Sequence, residues 1–242
     1  MMTFEPPAQT GCRTRATSPH DATVTWVLVL LALLPLAMIG LQLALGLRGV
    51  WGYSLYKGLL IVPPWIYCRY RGIRIGAEIL KWHHWRRGLP AAMGLGCLAV
   101  LIFWGIYYWL GDLLLDKALI AGKIGDQFSV TASTVLVVAP ITIFLNSLLE
   151  EFFYRGFAFG QLVRRHRVVG WLLPAAGFTV QHILFIYHWV TPLPFALAVV
   201  GLLVFALVLQ KAYQAADSIV APWLIHILGD VAVMGIAVAL LW

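Results

Sequence analysis

Long apolar runs alternate with short polar stretches along most of the chain, after a polar N-terminal tail that ends at about residue 22. The first run, from Thr23 to Leu47, carries no charged side chain and exceeds the roughly 20 residues that a helix needs to cross a bilayer. Further segments of similar character follow. The candidate spans are 23–47, 50–67, 91–111, 131–153, 168–187, 192–210 and 219–241. This pattern predicts an all-α fold, a polytopic transmembrane bundle of six or seven helices, possibly eight.

Two of these segments have alternative interpretations. The run 23–47 could be a cleaved signal peptide, but it is longer than the usual apolar region of about 7–15 residues, and no small-residue cleavage site follows it. The segment 50–67 is short, contains Lys57 and ends in Pro63-Pro64, so a re-entrant or interfacial helix is an equal alternative. We expect a tail over 1–22 and a single transmembrane domain over 23–242.

Composition supports a membrane protein and narrows the functional classes. Of the 242 residues, 62% are hydrophobic and 11% are charged, against about 25% charged residues in soluble domains. The cysteines, Cys12, Cys68 and Cys97, show no CxxC spacing, which argues against a disulfide framework or a zinc knuckle. The net charge of +7 comes from basic residues spread over loops. We therefore expect contact with the lipid bilayer and no nucleic-acid partner.

The charged loops predict the orientation of the chain. The segment 69–87 holds six basic residues against one acidic residue, and 155–167 holds four arginines and no acid. Between them, 112–130 holds three aspartates against two lysines. The positive-inside rule places the first two segments in the cytoplasm and the third outside. If all seven spans are present, the N-terminus is cytoplasmic, and we expect the membrane to be a bacterial inner membrane.

Five ionisable residues fall inside the apolar C-terminal segments, where loops do not account for them. They are Glu150, Glu151, His182, His226 and Asp230. A charged group at membrane depth costs at least about 2.5–3.5 kcal/mol, so such groups are retained where they pair or take part in function. This concentration of acids and histidines predicts a functional site among the last helices.

The spacing of these residues allows them to meet at one depth. Glu150 and His182 each lie about 20 Å from the basic turn 164–167 between them, at a rise of about 1.5 Å per residue. His226 and Asp230 lie one turn apart on the last predicted helix. Three helices can therefore present these groups at overlapping heights.

Several of these groups have a neighbour on the same helical face that could orient them. Residues four apart share a face, so an acid and an arginine at this spacing can form an ion pair. The pairs at this spacing are Asn146 with Glu150, Glu151 with Arg155, Phe178 with His182, and His226 with Asp230. Each pair alone is more typical of helix packing or a structural salt bridge, and it is the combination that indicates a site.

The residues that form these pairs resemble the motifs of a known family. The sequences Glu150-Glu151-Phe-Phe-Tyr-Arg155, Phe178-Thr-Val-Gln-His182 and His226-Ile-Leu-Gly-Asp230 are similar to the EExxxR, FxxxH and HxxxN/D motifs of the CPBP intramembrane proteases. That group includes the type II CAAX prenyl endopeptidases and bacteriocin-processing or immunity proteins. The resemblance covers about residues 150–230, a third of the chain, and places the catalytic core at about 131–242.

The resemblance implies a role for each motif residue. Glu150 would be the general base that binds and deprotonates a water together with His182. His226 and the residue at 230 would stabilise the oxyanion. Many members carry asparagine at the position of Asp230, so this aspartate would either be protonated and donate a hydrogen bond, or be ionised and orient His226.

The remaining motif residues would support the base: the resemblance implies that Glu151 and Arg155 brace the helix and hold Glu150 in place. The motif pairing adds Phe178 and Asn146 as supporting residues. The family is regarded as independent of metal, and we expect neither a metal nor another cofactor.

We therefore predict an intramembrane endopeptidase that uses glutamate-activated water to cleave a membrane-associated or membrane-anchored protein or peptide. The alternatives are a non-proteolytic immunity or scaffold protein on the same fold, a zinc-dependent intramembrane protease and an ion-coupled transporter. The oligomeric state and the identity of the substrate are left open by the sequence.

Overall fold

The computed structural model describes residues 19–45, 52 and 55–242, and the described chain is helical without a β-strand. Most of the predicted tail, including Cys12, lies outside the described residues. The principal helices are α1 (Pro19–Leu45), α2 (Val62–Tyr70), α3 (Leu89–Leu114), α4 (Lys117–Phe128), α5 (Val135–Leu162), α6 (Arg167–Ile186), α7 (Pro192–Ala216) and α8 (Val220–Leu241). The predicted all-α polytopic bundle is confirmed.

Five of these helices are long and apolar enough to cross a membrane, which makes the chain an integral membrane protein. They are α1 over Ala22–Leu41, α3, α5, α7 and α8. The predicted span 168–187 corresponds to α6, which is 20 residues long but carries Gln181 and His182 in its apolar sequence. The predicted span 50–67 lies partly outside the described residues, and its described part is a short turn (Gly58–Leu60) followed by α2.

The second half of α5 runs through the centre of the bundle. Every side chain from Glu151 to Phe159 is buried, and the backbone there adopts the wider π-helical geometry. Such π-helical turns are rare and often occur at functional sites. Arg155, which was counted with the loop charges of 155–167, is fully buried in this helix and lies outside any loop.

Helix α8 packs closely against α3 because glycines remove side chains at the contact. A Cβ atom on Gly96 would lie 2.3 Å from Cδ1 of Leu228, and one on Gly235 would lie 2.9 Å from the ring of Trp104. Small residues allow this close approach between membrane helices. This contact fixes the position of α8, which carries the third sequence motif.

The segment between α2 and α3 is tied to the turn between α7 and α8. Asp217 ends α7 in a left-handed conformation, with φ of 49°, and accepts a hydrogen bond from Lys81. Nδ1 of His84 lies 3.1 Å from the Asp217 carboxylate. The hydrogen bond from Lys81 lowers the pKa of Asp217 below its ordinary value, against a smaller desolvation effect.

Candidate active site in a membrane-embedded cavity

A cavity of about 310 Å³ opens between α4, α5, α6 and α8. Its apolar wall includes Ile120, Ile124, Val130, Val138, Met234 and Leu240. Its polar wall is formed by Lys57, Asn146, Ser147, Glu150, His182, His226 and Asp230. The structure therefore brings together the acids and histidines of all three sequence motifs, apart from Glu151, which lies behind this wall.

Glu150 is almost completely buried, with 1% of its surface exposed, and its two carboxylate oxygens have different surroundings. Oε1 accepts hydrogen bonds from the Lys57 ammonium and from Nε2 of Gln181, the latter at 3.0 Å. Oε2 accepts no hydrogen bond from the described residues. It faces Nε2 of His182 at 3.4 Å and Nε2 of His226 at 3.8 Å. One oxygen is thus anchored, and the other is available to a ligand in the cavity.

His182 is oriented by its own helix. Its Nδ1 lies 2.8 Å from the backbone carbonyl of Phe178, one turn earlier. A carbonyl can only accept, so Nδ1 carries the proton, and the neutral form of the ring would present an unprotonated Nε2 to Glu150. The Phe178 ring packs against the imidazole, with centroids 4.2 Å apart. Glu150 and His182 therefore offer two acceptors that suit the two hydrogens of one water molecule.

His226 is oriented from the neighbouring helix. Its Nδ1 donates to Oε1 of Glu151 at 2.8 Å, and the same oxygen accepts a hydrogen bond from Arg155 at 3.0 Å. All three side chains are buried. Glu151 therefore holds the imidazole directly, in addition to forming the expected ion pair with Arg155. This leaves Nε2 of His226 directed at the cavity.

Asp230 lies at the edge of the polar wall, with 21% of its side chain exposed. Its Oδ1 is 3.8 Å from Nε2 of His226, too far for a hydrogen bond. The Nδ1 position of His226, through which an aspartate would normally fix the tautomer, is already taken by Glu151. Asp230 therefore faces the same space as His226 without holding it.

The two remaining supporting residues behave differently from each other. Asn146 does not form the hydrogen bond with Glu150 that the helical spacing suggested. Its Oδ1 is buried without a hydrogen-bond partner among the described residues, and Glu150 takes its hydrogen bonds from other elements. The Phe178 ring, in contrast, stacks under the Arg155 guanidinium, with the carbon of that group 4.2 Å from the ring centroid.

Sequence reasoning missed three polar residues around Glu150. Gln181 donates to Glu150 and accepts a 2.7 Å hydrogen bond from the hydroxyl of Tyr154, which forms a buried chain of hydrogen bonds. Lys57 completes the set. A signal was present in each case: Tyr154 and Gln181 lie inside the first two motifs, and Lys57 is an ionisable residue in an apolar segment.

Residues 132–232 match the family model described as "Type II CAAX prenyl endopeptidase Rce1-like". This segment is similar to the CAAX protease family. The match confirms the resemblance recognised from the three motifs and indicates an intramembrane protease of the CAAX type. No curated protein and no solved structure shows a significant match to the chain.

The matched CAAX protease segment contains the site residues carried by α5, α6 and α8, but it does not contain Lys57, which lies 93 residues before its partner Glu150. The polar wall of the cavity therefore has one member from outside the family segment.

The donor atoms of this candidate site could also hold a metal ion. Glu150, His182 and His226 offer ligand atoms within 4.8 Å of one another. Three protein ligands suit catalytic zinc, and both histidines make the second hydrogen bond typical of zinc ligands. The Lys57 ammonium on the same carboxylate opposes this use, since it places a positive charge beside the ion.

Proposed function

We propose that the protein is a glutamate-dependent intramembrane endopeptidase, in which Glu150 activates a water molecule. The observation that supports this proposal is the free Oε2 of Glu150, which lies between the Nε2 atoms of His182 and His226 at 3.4 Å and 3.8 Å. A general base must lie within reach of the proton that it removes. A water held by Glu150 and His182 satisfies this requirement at the polar end of the cavity.

The proposed reaction uses only protein groups and one water. Glu150 removes a proton as the water oxygen attacks the scissile carbonyl carbon, which gives a tetrahedral oxyanion. The protonated Glu150 then transfers this proton to the leaving amine as the C–N bond breaks. The products are a carboxylic acid and an amine, and Glu150 returns to its ionised form.

His226 and Asp230 are the proposed donors to the oxyanion. Because Nδ1 of His226 donates to Glu151, Nε2 can donate only when the ring is an imidazolium. The Glu151 carboxylate stabilises that charged ring. Preorganised donors of this kind each contribute about 2.7–4 kcal/mol to transition-state stabilisation. Glu151 is therefore proposed to orient and stabilise the His226 ring, in addition to bracing α5 through its ion pair with Arg155.

The proposed substrate is a protein or peptide with a membrane anchor. The cavity joins a polar end, where an amide can react, to an apolar wall that suits an uncharged segment. We also propose that the protein lies in a bacterial inner membrane with its N-terminus in the cytoplasm, on the charge pattern of the loops.

A zinc-dependent protease is the second candidate, and it is favoured by the three converging donor atoms. The non-proteolytic scaffold is less well supported, since a scaffold does not require a buried carboxylate that faces a cavity between two imidazoles. The Lys57–Glu150 contact favours the metal-free reaction over zinc.

The test is the variant Glu150→Gln, compared with wild type by terminal-peptide mass spectrometry of the membrane proteome. Glutamine keeps the shape but cannot take the proton, so cleavage should fall by at least the roughly 10²–10⁴-fold of acid–base catalysis. Glu78→Gln, which alters an acid outside the cavity, is the matched control and should cleave normally. Wild-type processing by Glu150→Gln would refute the proposed mechanism.

A further inference from the structure

Lys57 enters the cavity from a segment that none of the catalytic motifs includes. It is 4% exposed, and its ammonium donates to Oε1 of Glu150. It precedes α2, outside the matched family segment 132–232. Among the described residues that line the cavity, it is the one lysine or arginine. A buried ammonium is costly unless it is paired, so the contact with Glu150 accounts for its position.

We infer that Lys57 is a positioning residue for the catalytic base: it anchors Oε1 of Glu150 and so leaves Oε2 directed at the water. This inference rests on the proposed function of Glu150. Nε2 of Gln181 donates a hydrogen bond to the same oxygen at 3.0 Å, so two donors fix its position. The second oxygen then has one orientation, towards the two imidazoles.

The geometry argues against Lys57 as an inhibitory plug. A plug would occupy the oxygen that faces the cavity, but the ammonium contacts Oε1, and Oε2 is left without a hydrogen bond from the described residues. Glu150 can therefore bind water while Lys57 stays in place. The two roles predict opposite changes in the cleavage rate when Lys57 is replaced: removal of a plug would raise the rate, and removal of a positioning residue would lower it.

The environment of Glu150 also shows what Lys57 contributes in charge. The charged and titratable groups around the base are Lys57, His182 on α6, His226 and Asp230 on α8, and Glu151 and Arg155 on its own helix. Arg155 is already paired with Glu151, and His182 and His226 carry a positive charge only when their rings are protonated. Lys57 is therefore the permanent positive charge in contact with the base.

The experiment is a pH–rate profile of purified full-length Lys57→Met and Lys57→Arg. The probe is an internally quenched peptide that contains the cleavage site identified by terminal-peptide mass spectrometry of the membrane proteome. Lys57→Met should lower the maximal rate roughly tenfold to a hundredfold. It should also move the acid limb to higher pH by roughly 1–3 pH units, the effect expected from loss of an adjacent opposite charge. Lys57→Arg keeps the positive charge, so the acid limb of its pH–rate profile should lie close to that of the wild type. Lys81→Met, which removes another buried lysine that is paired with a carboxylate, is the control and should keep the wild-type limb.

Glu150→Gln in the same assay separates the two ideas. If it is inactive while Lys57→Met keeps the wild-type profile, only the inference about Lys57 is wrong. If Glu150→Gln is active, the proposed function is wrong. A faster Lys57→Met variant would also overturn the inference, since it would identify a plug.

A folding defect in Lys57→Met is resolved by the double variant Lys57→Met/Glu150→Gln. If the role of Lys57 is to balance the buried negative charge of Glu150, removal of both charges should recover the folded yield. Failure to recover it would show that Lys57 has another structural task, and the inference would be abandoned.

Discussion

Replacement of Glu151 by glutamine should destabilise the protein more than replacement of Arg155 by methionine. Both side chains are completely buried, and NH1 of Arg155 donates to Oε1 of Glu151 at 3.0 Å. Glutamine keeps the acceptor oxygen but removes the charge, which leaves the guanidinium uncompensated inside the bundle. Removal of one partner of a buried pair costs about 3–5 kcal/mol. We expect a loss of that order for Glu151→Gln.

Arg155→Met leaves a different situation, because Glu151 keeps a second partner. Nδ1 of His226 still donates to it at 2.8 Å, and the imidazolium form of this ring balances the charge of the carboxylate. The main loss is then one hydrogen bond to a charged group, about 1.5–3 kcal/mol. The contact with the Phe178 ring adds a smaller cation–π contribution. The two variants should therefore differ by about 1–2 kcal/mol.

The assay is equilibrium unfolding in mixed detergent, together with cleavage by the folded fraction. The double variant Glu151→Gln/Arg155→Met should recover much of the stability that is lost in Glu151→Gln, since a neutral pair replaces an unbalanced charge. It should not recover activity, because His226 no longer has a charged partner. Glu78→Gln disrupts an exposed pair with Arg74 at the same spacing and should have little effect. Equal losses, or a larger loss for Arg155→Met, would refute the role given to His226.

Three further predictions concern metal, Asp230 and pH. Prolonged chelation should leave activity unchanged, and near-stoichiometric zinc with activity restored by its addition would instead establish the metalloprotease. Asp230→Asn should keep most activity at neutral pH and extend it to higher pH, measured as a pH–rate profile; a large loss at every pH would show that Asp230 works ionised. Because the folded pKa of Asp217 is lowered, its carboxylate stabilises the fold at pH values above the unfolded pKa of about 3.9. This stabilisation is lost as the pH falls through the lower folded pKa. Asp217→Asn should therefore weaken the tie to Lys81 at neutral pH but not at a pH below the lowered folded pKa, measured by limited proteolysis of the segment between α2 and α3.

The meeting of the three motifs could be predicted from the sequence because depth and helical spacing are local properties. The distances of Glu150 and His182 from the basic turn between them are fixed by the helical rise, so their common height follows from residue counts. The same counting relates His226 to Asp230. The fold class follows from the apolar runs, since a membrane-spanning chain has few alternatives to helices.

The partners of each polar group could not be predicted, because periodicity shows which residues share a face but not what lies opposite. Asn146 shares a face with Glu150, yet Glu150 accepts its hydrogen bonds from Gln181 on α6 and from Lys57 before α2. Likewise, Glu151 was expected to serve α5 itself, but it also reaches His226 on α8. Lys57 could have been included by the rule that ionisable residues in apolar segments are kept where they pair, since it pairs with Glu150.

The balance of charges around the cavity argues that Asp230 is protonated. The carboxylate of Glu150 is paired with Lys57, and that of Glu151 with Arg155. Among the described residues that line the cavity, no second lysine or arginine is present to balance a third carboxylate. An ionised Asp230 would depend on His226, whose Nε2 is 3.8 Å away and whose ring is already held by Glu151. A protonated Asp230 needs no counter-ion and can donate to an oxyanion, which is also what asparagine does. The same charge balance therefore explains why either residue could serve at this position, and why the alkaline limb of the rate profile is where they should differ.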